Sequence, residues 1–238
     1  MSDRLETLPE DWDRALAIVA HPDDLEYGAA AAIARWTSQG KTVTYLLATR
    51  GEAGIAGMSP AEAGPLREDE ERRSAAVVGV DTVEFLDHTD GIVEYGLPLR
   101  RDIALAVRRH RPEVVITNNH RDTWGGSVLN MADHRNVGLA VQDGVRDAGN
   151  EWVFTDDTPP AWGGVRMVCH NGSPEPTHGV DVSGHFDLGI ASLREHRAYL
   201  EGLGQTPDDA ADWLTGGAEA AGERLGVRYG VTFEVFDF

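Results

Sequence analysis

The sequence predicts an α/β fold, a Rossmann-like three-layer sandwich built on a mostly parallel sheet. Residues 17–20 form an apolar run without polar alternation, which is typical of a strand buried on both faces of a parallel sheet. Strand-like runs then alternate with helical patterns, and this order predicts parallel strands joined by right-handed crossovers. The chain has 238 residues, enough for one α/β core, so we expect a single domain over residues 1–238.

The predicted elements follow one another in a regular order. Strands are expected at residues 15–20, 42–49, 82–86, 114–117, 166–169 and 179–182. Helices are expected at residues 25–38, 65–78, 97–110, 135–146, 185–203 and 207–225. Gly40 and Gly79 follow two of these helices, as glycine commonly does, and Pro112 stops a third. Residues 118–130 and 150–164 are expected to be loops, and the alternation at residues 227–236 predicts an edge strand.

The composition of the chain limits its partners. Asp and Glu number 40 against 21 Lys and Arg, a formal net charge of -19, which argues against nucleic acid and anionic membranes as partners. The single cysteine, Cys169, excludes a disulfide framework and a thiolate zinc site. No apolar stretch approaches the roughly 20 residues of a membrane span, and residues 1–12 are unlike a signal peptide. We therefore expect a cytoplasmic protein with a small-molecule substrate, and the composition is compatible with a homo-oligomer.

The strongest chemical signal is the turn that follows the first strand. His21, Asp23 and Asp24 lie there around Pro22, which ends the strand and stiffens the turn. In an open α/β sheet, ligands bind beyond the carboxyl ends of the strands. An imidazole and a carboxylate three residues apart can share one cation, and this pair is common at zinc sites. His21 and Asp24 are thus candidate metal ligands, with Asp23 free for proton transfer. The alternative is a polar turn with an aspartate as helix N-cap.

Further motifs follow this turn along the chain. After Ala-His-Pro-Asp-Asp at residues 20–24 come Thr-x-Gly-Glu-x-Gly at 49–54, Arg67 with Glu70, Val-Gly-Val at 78–80, Asp90-Gly91, Asp133-His134 and His196. In this combination the chain resembles the PIG-L/LmbE-like family of zinc-dependent N-deacetylases, from about residue 16 to about residue 200. None of these motifs is specific alone. The opening motif, the glycine-rich loop and the late Asp-His are highly specific together.

The resemblance implies a reaction and a set of residues for it. His21, Asp24 and His134 would bind Zn²⁺, or another divalent cation, and Asp23 would be the catalytic general base. Three protein ligands leave the fourth zinc position to a water, whose pKa falls toward about 7. Attack of this zinc-bound water would remove the acetyl group from an N-acetylated small molecule. The family implies an N-acetylglucosaminyl compound as the substrate.

The chain departs from the family at Met131. Many members place a histidine there to assist the oxyanion or the leaving group, and methionine cannot donate a proton. Either Asp23 serves as both base and acid, or another group such as His120 or His170 takes this role. Gly189 also stands where a lysine is usual, which bears on the substrate more than on the metal.

Four other residues are candidates for supporting or substrate-binding roles. Asp133 would accept a hydrogen bond from an imidazole of the metal site. Arg67 would bind a substrate hydroxyl or carboxylate, or else form a surface ion pair with a neighbouring glutamate. Asp90 would reach the pocket or form an ordinary Asp-Gly turn. His120 lies with Trp124 on the loop after the fourth strand, on the same side of the sheet as the site.

Three alternative functions share parts of this pattern. An amidase of a larger acyl group or thiol conjugate would use the same metal site with a different pocket. A non-catalytic relative would bind only metal or ligand, and the change at Met131 leaves this alternative open. A nucleotide-binding protein without hydrolytic activity is disfavoured. Its first turn would read Gly-x-Gly-x-x-Gly, whereas the two acids of the present turn would repel pyrophosphate.

Overall fold

A computed structural model describes residues 5–156 and 159–238, which form ten strands and seven helices. In chain order these are β1 (Glu6–Thr7), β2 (Arg14–Val19), α1 (Ala30–Ser38), β3 (Thr42–Leu47), α2 (Pro60–Val77), β4 (Thr82–Phe85), α3 (Leu97–His110), β5 (Val114–Thr117), β6 (Thr123–Gly125), β7 (Val128–Leu129), α4 (Ala132–Ala148), β8 (Met167–Asn171), β9 (His178–Asp181), α5 (Phe186–Leu193), α6 (Arg197–Gly202), α7 (Pro207–Leu225) and β10 (Gly230–Asp237). Residues 157 and 158 of the predicted loop at 150–164 lie outside the described residues.

Eight strands form one sheet in the order β1-β9-β10-β8-β5-β2-β3-β4. Within this sheet β10 runs antiparallel to both neighbours, and the other pairs are parallel. Strands β6 and β7 form a separate antiparallel pair inside the segment that was expected to be a loop at residues 118–130. The predicted α/β fold with a mostly parallel sheet is confirmed.

Strand β2 shows how the sheet divides the core into two. Ala17 and Val19 face one apolar cluster, while Leu16 and Ile18 face the other, because successive side chains of a strand point to opposite faces. Helices α1, α2, α5 and α7 contribute to the first cluster, and α3 and α4 to the second. This is the predicted three-layer arrangement. In the part of the chain that the structure describes, no helix combines the length and apolarity needed to cross a membrane.

Helix α2 begins at Pro60, five residues before the start predicted at residue 65. Ser59 and Glu62 form a capping box, and Pro60 stands at the first helical position, where a missing N–H costs nothing. Pro65 lies inside the helix. The predicted start was wrong, because the capping box of Ser59 and Glu62 begins the helix upstream of Pro65.

Other boundaries also differ from the predictions. Helix α1 starts only at Ala30, since residues 22–29 are in turns, and α4 starts at Ala132, three residues early. The helix expected at 185–203 is two helices, α5 and α6, separated at residues 194–196. The predicted edge strand is β10, which lies inside the sheet, while the short β1 lies at the edge. Alternation of apolar and polar residues indicates how well the two faces of a strand are covered. It does not indicate where the strand lies in the strand order.

Candidate metal centre and active site

Parallel strands bring the predicted site residues together beyond the carboxyl-terminal ends of the strands. His21 follows β2 and Asp24 lies in the turn after it. His134 lies in the first turn of α4, 113 residues after His21. Because β2, β3, β4 and β5 are mutually parallel, the segments that follow them emerge on the same side.

His21, Asp24 and His134 direct their ligand atoms toward one another. His134 Nε2 lies 3.2 Å from His21 Nδ1 and 3.0 Å from Asp24 Oδ1, and His21 Nδ1 lies 3.7 Å from Asp24 Oδ2. Ligands about 2.1 Å from one tetrahedral zinc lie roughly 3.4 Å apart, so these separations fit a shared cation. Each of the three side chains is less than a tenth exposed. The cluster is therefore a buried group that could hold a metal ion.

Each imidazole has a second ring nitrogen that points away from the cluster. A hydrogen-bond acceptor beside this outer nitrogen orients the ring. His21 Nε2 lies 3.0 Å from Asp90 Oδ1 and 3.3 Å from Asp133 Oδ2. His134 Nδ1 lies 3.2 Å from the side-chain oxygen of Asn130. A metal-binding imidazole usually donates its second N–H to such an acceptor, which fixes the tautomer. Asp90 and Asp133 thus lie beside Nε2 of His21, and Asn130, which no motif in the sequence indicated, lies beside Nδ1 of His134.

The charges around the cluster favour a cation. Burial lowers the pKa of His21, but the neighbouring Asp24, Asp133 and Asp90 outweigh it and raise this pKa well above its usual range. Burial likewise raises the pKa of Asp24, but His134 and His21 outweigh it and hold this pKa well below its usual range. A field that stabilises an imidazolium also stabilises a divalent metal ion in the same place.

Asp23 lies beside the cluster with an unusual backbone conformation. Its φ is 98°, a left-handed value that favours glycine, and its side chain is buried. Oδ1 of Asp23 accepts a hydrogen bond of 2.8 Å from Arg67 Nη2. Burial raises the pKa of Asp23, although the charge of Arg67 opposes this. Backbone strain together with a shifted carboxyl pKa is characteristic of functional sites.

Arg67 is buried under the turn and does not form a surface ion pair. Its Nη2 also donates to Pro22 O, and its Nη1 donates to Gly51 O over 2.9 Å. The guanidinium lies 4.0 Å from the centre of the Tyr199 ring. A Cβ at Gly51 would come within 2.2 Å of Arg67 Nη1. The glycine-rich loop therefore leaves room for this arginine.

The glycine-rich loop is also joined to the metal cluster. Glu52 accepts hydrogen bonds from the backbone N–H groups of Arg50 and Asp90, over 3.1 and 2.9 Å. Asp90 Oδ2 in turn accepts one from the N–H of Ala53 over 2.7 Å. The other carboxylate oxygen of Asp90 faces His21. The loop thus holds one of the acceptors that orient a candidate ligand.

A cleft of about 830 Å³ opens over Asp23, Asp24 and His134. The rings of Trp124 and His134 form a T-shaped pair, with ring centres 5.5 Å apart. Four aromatic side chains line the cleft: Tyr27, Trp124, Tyr199 and Trp213. Apart from Trp124, these were not identified from the sequence. Scattered aromatic residues have no spacing that distinguishes a cleft from a core.

His120 and His170 contact each other instead of the cluster. Their ring centres lie 4.4 Å apart, and both rings contact Phe236 at 5.6 Å. His170 is fully buried, and burial lowers its pKa to about 4. Among the described residues, neither histidine forms a hydrogen bond or ring contact with the three candidate ligands. Met131 is the N-cap of α4 and is 52% exposed.

Comparisons with known proteins show which family the chain belongs to. The family model described as GlcNAc-PI de-N-acetylase, PIG-L, matches residues 16–145, more than half of the chain. A diacetylchitobiose deacetylase from Thermococcus kodakarensis is 28% identical over 205 residues, which cover 84% of this chain and 72% of the relative. A 1D-myo-inositol 2-acetamido-2-deoxy-alpha-D-glucopyranoside deacetylase from Kineococcus radiotolerans is 30% identical over 244 residues, covering 77% of this chain and 68% of the relative.

A solved structure extends the similarity to the whole fold. The N,N'-diacetylchitobiose deacetylase from Pyrococcus horikoshii has a TM-score of 0.84 to this chain at 25% sequence identity, covering 95% of this chain and 85% of that one. The resemblance inferred from the motifs is confirmed. The matched family model and the two curated deacetylases together show that the chain belongs to the PIG-L family of N-deacetylases, which are hydrolases.

Proposed function

We propose that this protein is a zinc-dependent hydrolase that removes the acetyl group from an N-acetylglucosaminyl compound. The observation that carries the proposal is the convergence of His21, Asp24 and His134 beside the buried Asp23, at one cleft. Both curated relatives are named as deacetylases of acetylated amino sugars, which supports this class of substrate.

The ligand set suits zinc. Two imidazole nitrogens and one carboxylate are a frequent zinc set in enzymes, and they leave a coordination position open. Zinc bound there would polarise the carbonyl of the substrate amide and lower the pKa of a water. His21 and His134 would bind through Nδ1 and Nε2, the atoms that face each other across 3.2 Å. Oδ2 of Asp24 also accepts a hydrogen bond of 2.8 Å from the backbone N–H of His21, which fixes the carboxylate against the turn.

Asp23 is the residue we assign to proton transfer. Amide hydrolysis takes a proton from the attacking water and delivers one to the leaving nitrogen. Asp23 borders the cleft, and Arg67 holds its carboxylate in one orientation. Its raised pKa, caused mainly by burial, suits a group that is protonated for part of the cycle. We assign both transfers to Asp23, because Met131 cannot donate a proton and His120 packs against His170.

The cleft suits a sugar. Trp124 is 38% exposed beside His134, and Trp213 is 65% exposed beside Tyr27. Exposed aromatic side chains next to a few convergent polar groups are characteristic of small-molecule sites. Asn171 and Ser173 also line this cleft and offer hydrogen-bonding groups for sugar hydroxyls.

A free-amine assay with metal exchange tests the proposal. The protein would be stripped with a chelator, reconstituted with Zn²⁺, and offered N-acetylglucosamine, N,N'-diacetylchitobiose and matched sugars with longer N-acyl groups. We expect chelation to abolish the release of amine from the acetylated sugars and Zn²⁺ to restore it. Release of amine only from the sugars with longer N-acyl groups would favour the amidase instead. Bound zinc without any turnover would favour a non-catalytic relative.

A further inference from the structure

A second group of metal-ligating side chains lies beneath the turn that carries Asp23. Glu26 is in this turn, Glu71 is in α2, and His196 is in the break between α5 and α6. Their candidate ligand atoms lie within 4.8 Å of one another, and each side chain is at most 1% exposed. The reaction proposed above uses none of these three residues.

The distances in this group are too long for hydrogen bonds and short enough for a shared ion. His196 Nε2 lies 3.6 Å from Glu26 Oε2 and 3.6 Å from Glu71 Oε2. An N–H···O hydrogen bond spans about 2.7–3.2 Å. Two ligands of one tetrahedral cation lie roughly 3.4 Å apart. An imidazole nitrogen equidistant from two carboxylates at this spacing therefore fits a common ion better than a hydrogen bond.

Several atoms of the group are shielded from solvent and lack a hydrogen-bond partner within the described residues. They include Glu26 Oε2, Glu71 Oε1 and His196 Nε2. The Tyr45 hydroxyl is also without a partner, and its pKa is raised by burial and then by the charges of Glu26 and Glu71, so it lies near the same group. Buried polar atoms are normally satisfied, and an ion is one of the groups that satisfies them.

The charge of the group also requires compensation. Two buried carboxylates lie together here, close to Asp23 and Asp24, while Arg67 is paired with Asp23. Buried charges are stable only when paired or bound to a metal. A divalent cation would offset both carboxylates at once, whereas a shared proton would offset one.

We propose that Glu26, Glu71 and His196 form a second metal site that holds a divalent transition-metal cation of the zinc type. An imidazole nitrogen with carboxylate oxygens favours such a cation over Mg²⁺ or Ca²⁺, which take oxygen ligands. The site is fully buried and offers no open side to a substrate, so the ion is structural. It cross-links the turn after β2, helix α2 and the break between α5 and α6.

This ion would also stabilise the turn after β2 that carries Asp23. Glu71 Oε2 accepts the backbone N–H of Asp23 over 3.3 Å, so the ion contacts a group that holds the left-handed backbone of Asp23. Ser74 Oγ donates to Glu26 Oε1 and lies 2.6 Å from Ser192 Oγ, which fixes the second carboxylate. The site therefore links the fold of α2 and α5 to the geometry of the cleft.

Metal counting with matched variants tests this site. The full-length protein would be folded with excess Zn²⁺, freed of loose metal by gel filtration and analysed by mass spectrometry of its metal content. We expect two zinc ions per chain in the parent, one in His134→Ala, one in His196→Gln and none in the double variant. His134→Ala removes a ligand of the cleft site only, so failure of this inference is distinguishable from failure of the proposed function.

A crystal measured at the zinc absorption edge gives an independent answer that needs no variant. We expect one anomalous peak between His21 and His134 and another between Glu26 and His196. In the metal count, one zinc ion per chain in the parent and none in His134→Ala would overturn the second site. In the crystal, the absence of an anomalous peak at Glu26 would overturn it as well. Either result would mean that protons, and not a metal ion, compensate the two carboxylates. If His196→Gln does not fold, Glu26→Gln, which keeps the shape of the side chain, replaces it in the count.

Discussion

Arg67 Nη2 lies 2.8 Å from Asp23 Oδ1, and the two residues are 44 positions apart in the sequence. Their side chains are 2% and 9% exposed. The same guanidinium binds the carbonyl oxygens of Pro22 and Gly51. Helix α2 thus fixes both the carboxylate of Asp23 and the strained turn that carries it. The proton-transfer group is positioned by a distant helix as well as by its own turn.

Asp23→Asn is expected to lower kcat by about 10²–10⁴-fold, because the amide cannot accept or deliver the proton. The metal content should stay at the parental value, since Asp23 is not among the candidate ligands. Steady-state kinetics and metal analysis on the same sample check this. Asp81→Asn, an exposed substitution, is the control and should keep parental kinetics. A variant that hydrolyses substrate at the parental rate would remove Asp23 from proton transfer.

Arg67→Lys is expected to lower kcat by about tenfold or more, a barrier increase of about 1.4 kcal/mol. A lysine ammonium cannot reproduce the planar fork that binds Asp23, Pro22 and Gly51 together. KM should change less than kcat, because Arg67 acts on Asp23 and not on the substrate. Initial rates over a range of substrate concentrations separate the two. An increase in KM alone would show that Arg67 binds substrate directly.

His134→Ala and Asp133→Asn are expected to differ in their effect on metal affinity. His134 supplies a candidate ligand atom, whereas Asp133 accepts from the outer nitrogen of His21. Loss of such an outer acceptor typically weakens a metal site by about 10–100-fold, and loss of a ligand should weaken it more. Competition with a chromogenic chelator measures both constants. Equal affinities in His134→Ala and the parent would place His134 outside the metal site.

Gly51→Ala is expected to destabilise the protein more than Gly57→Ala. Both glycines have positive φ values, 62° and 82°, so both variants carry backbone strain of about 1 kcal/mol or more. A Cβ at Gly51 would also meet Arg67 Nη1 at 2.2 Å, whereas nothing lies within 4 Å of one at Gly57. Urea unfolding of the two variants isolates the contact with Arg67. Equal midpoints would mean that the arginine moves away at little cost.

His170 is expected to make the protein less stable in mild acid. Burial lowers its folded pKa to about 4 from an ordinary 6.5, so below pH 6.5 the unfolded chain binds a proton that the folded chain does not. Stability therefore falls as the pH drops from about 6.5 toward 4, by about 2 kcal/mol between pH 7 and pH 5. Urea unfolding at both pH values, on the parent and on His170→Gln, measures this. The same pH dependence in both would show that other groups cause it.

Local patterns in the chain were enough to predict the mostly parallel sheet and to indicate His21 and Asp24 as candidate ligands. The apolar run before His21 predicts a strand buried on both sides, and both faces of β2 are buried. His134 entered the predicted centre only through the resemblance to the PIG-L/LmbE-like family, because no local pattern joins it to His21. The structure brings these two imidazoles within 3.2 Å.

Only the tertiary structure decided which partners surround this centre. The pairing of Arg67 with Asp23, the burial of His196 against Glu26 and Glu71, and the packing of His120 on His170 all join segments distant in the chain. The position of β10 inside the sheet is of the same kind. Hydrophobic periodicity and helix-capping motifs indicate which side of a segment faces water and where its own backbone hydrogen bonds end. These partners depend instead on how helices and strands dock on one another, which no local pattern contains.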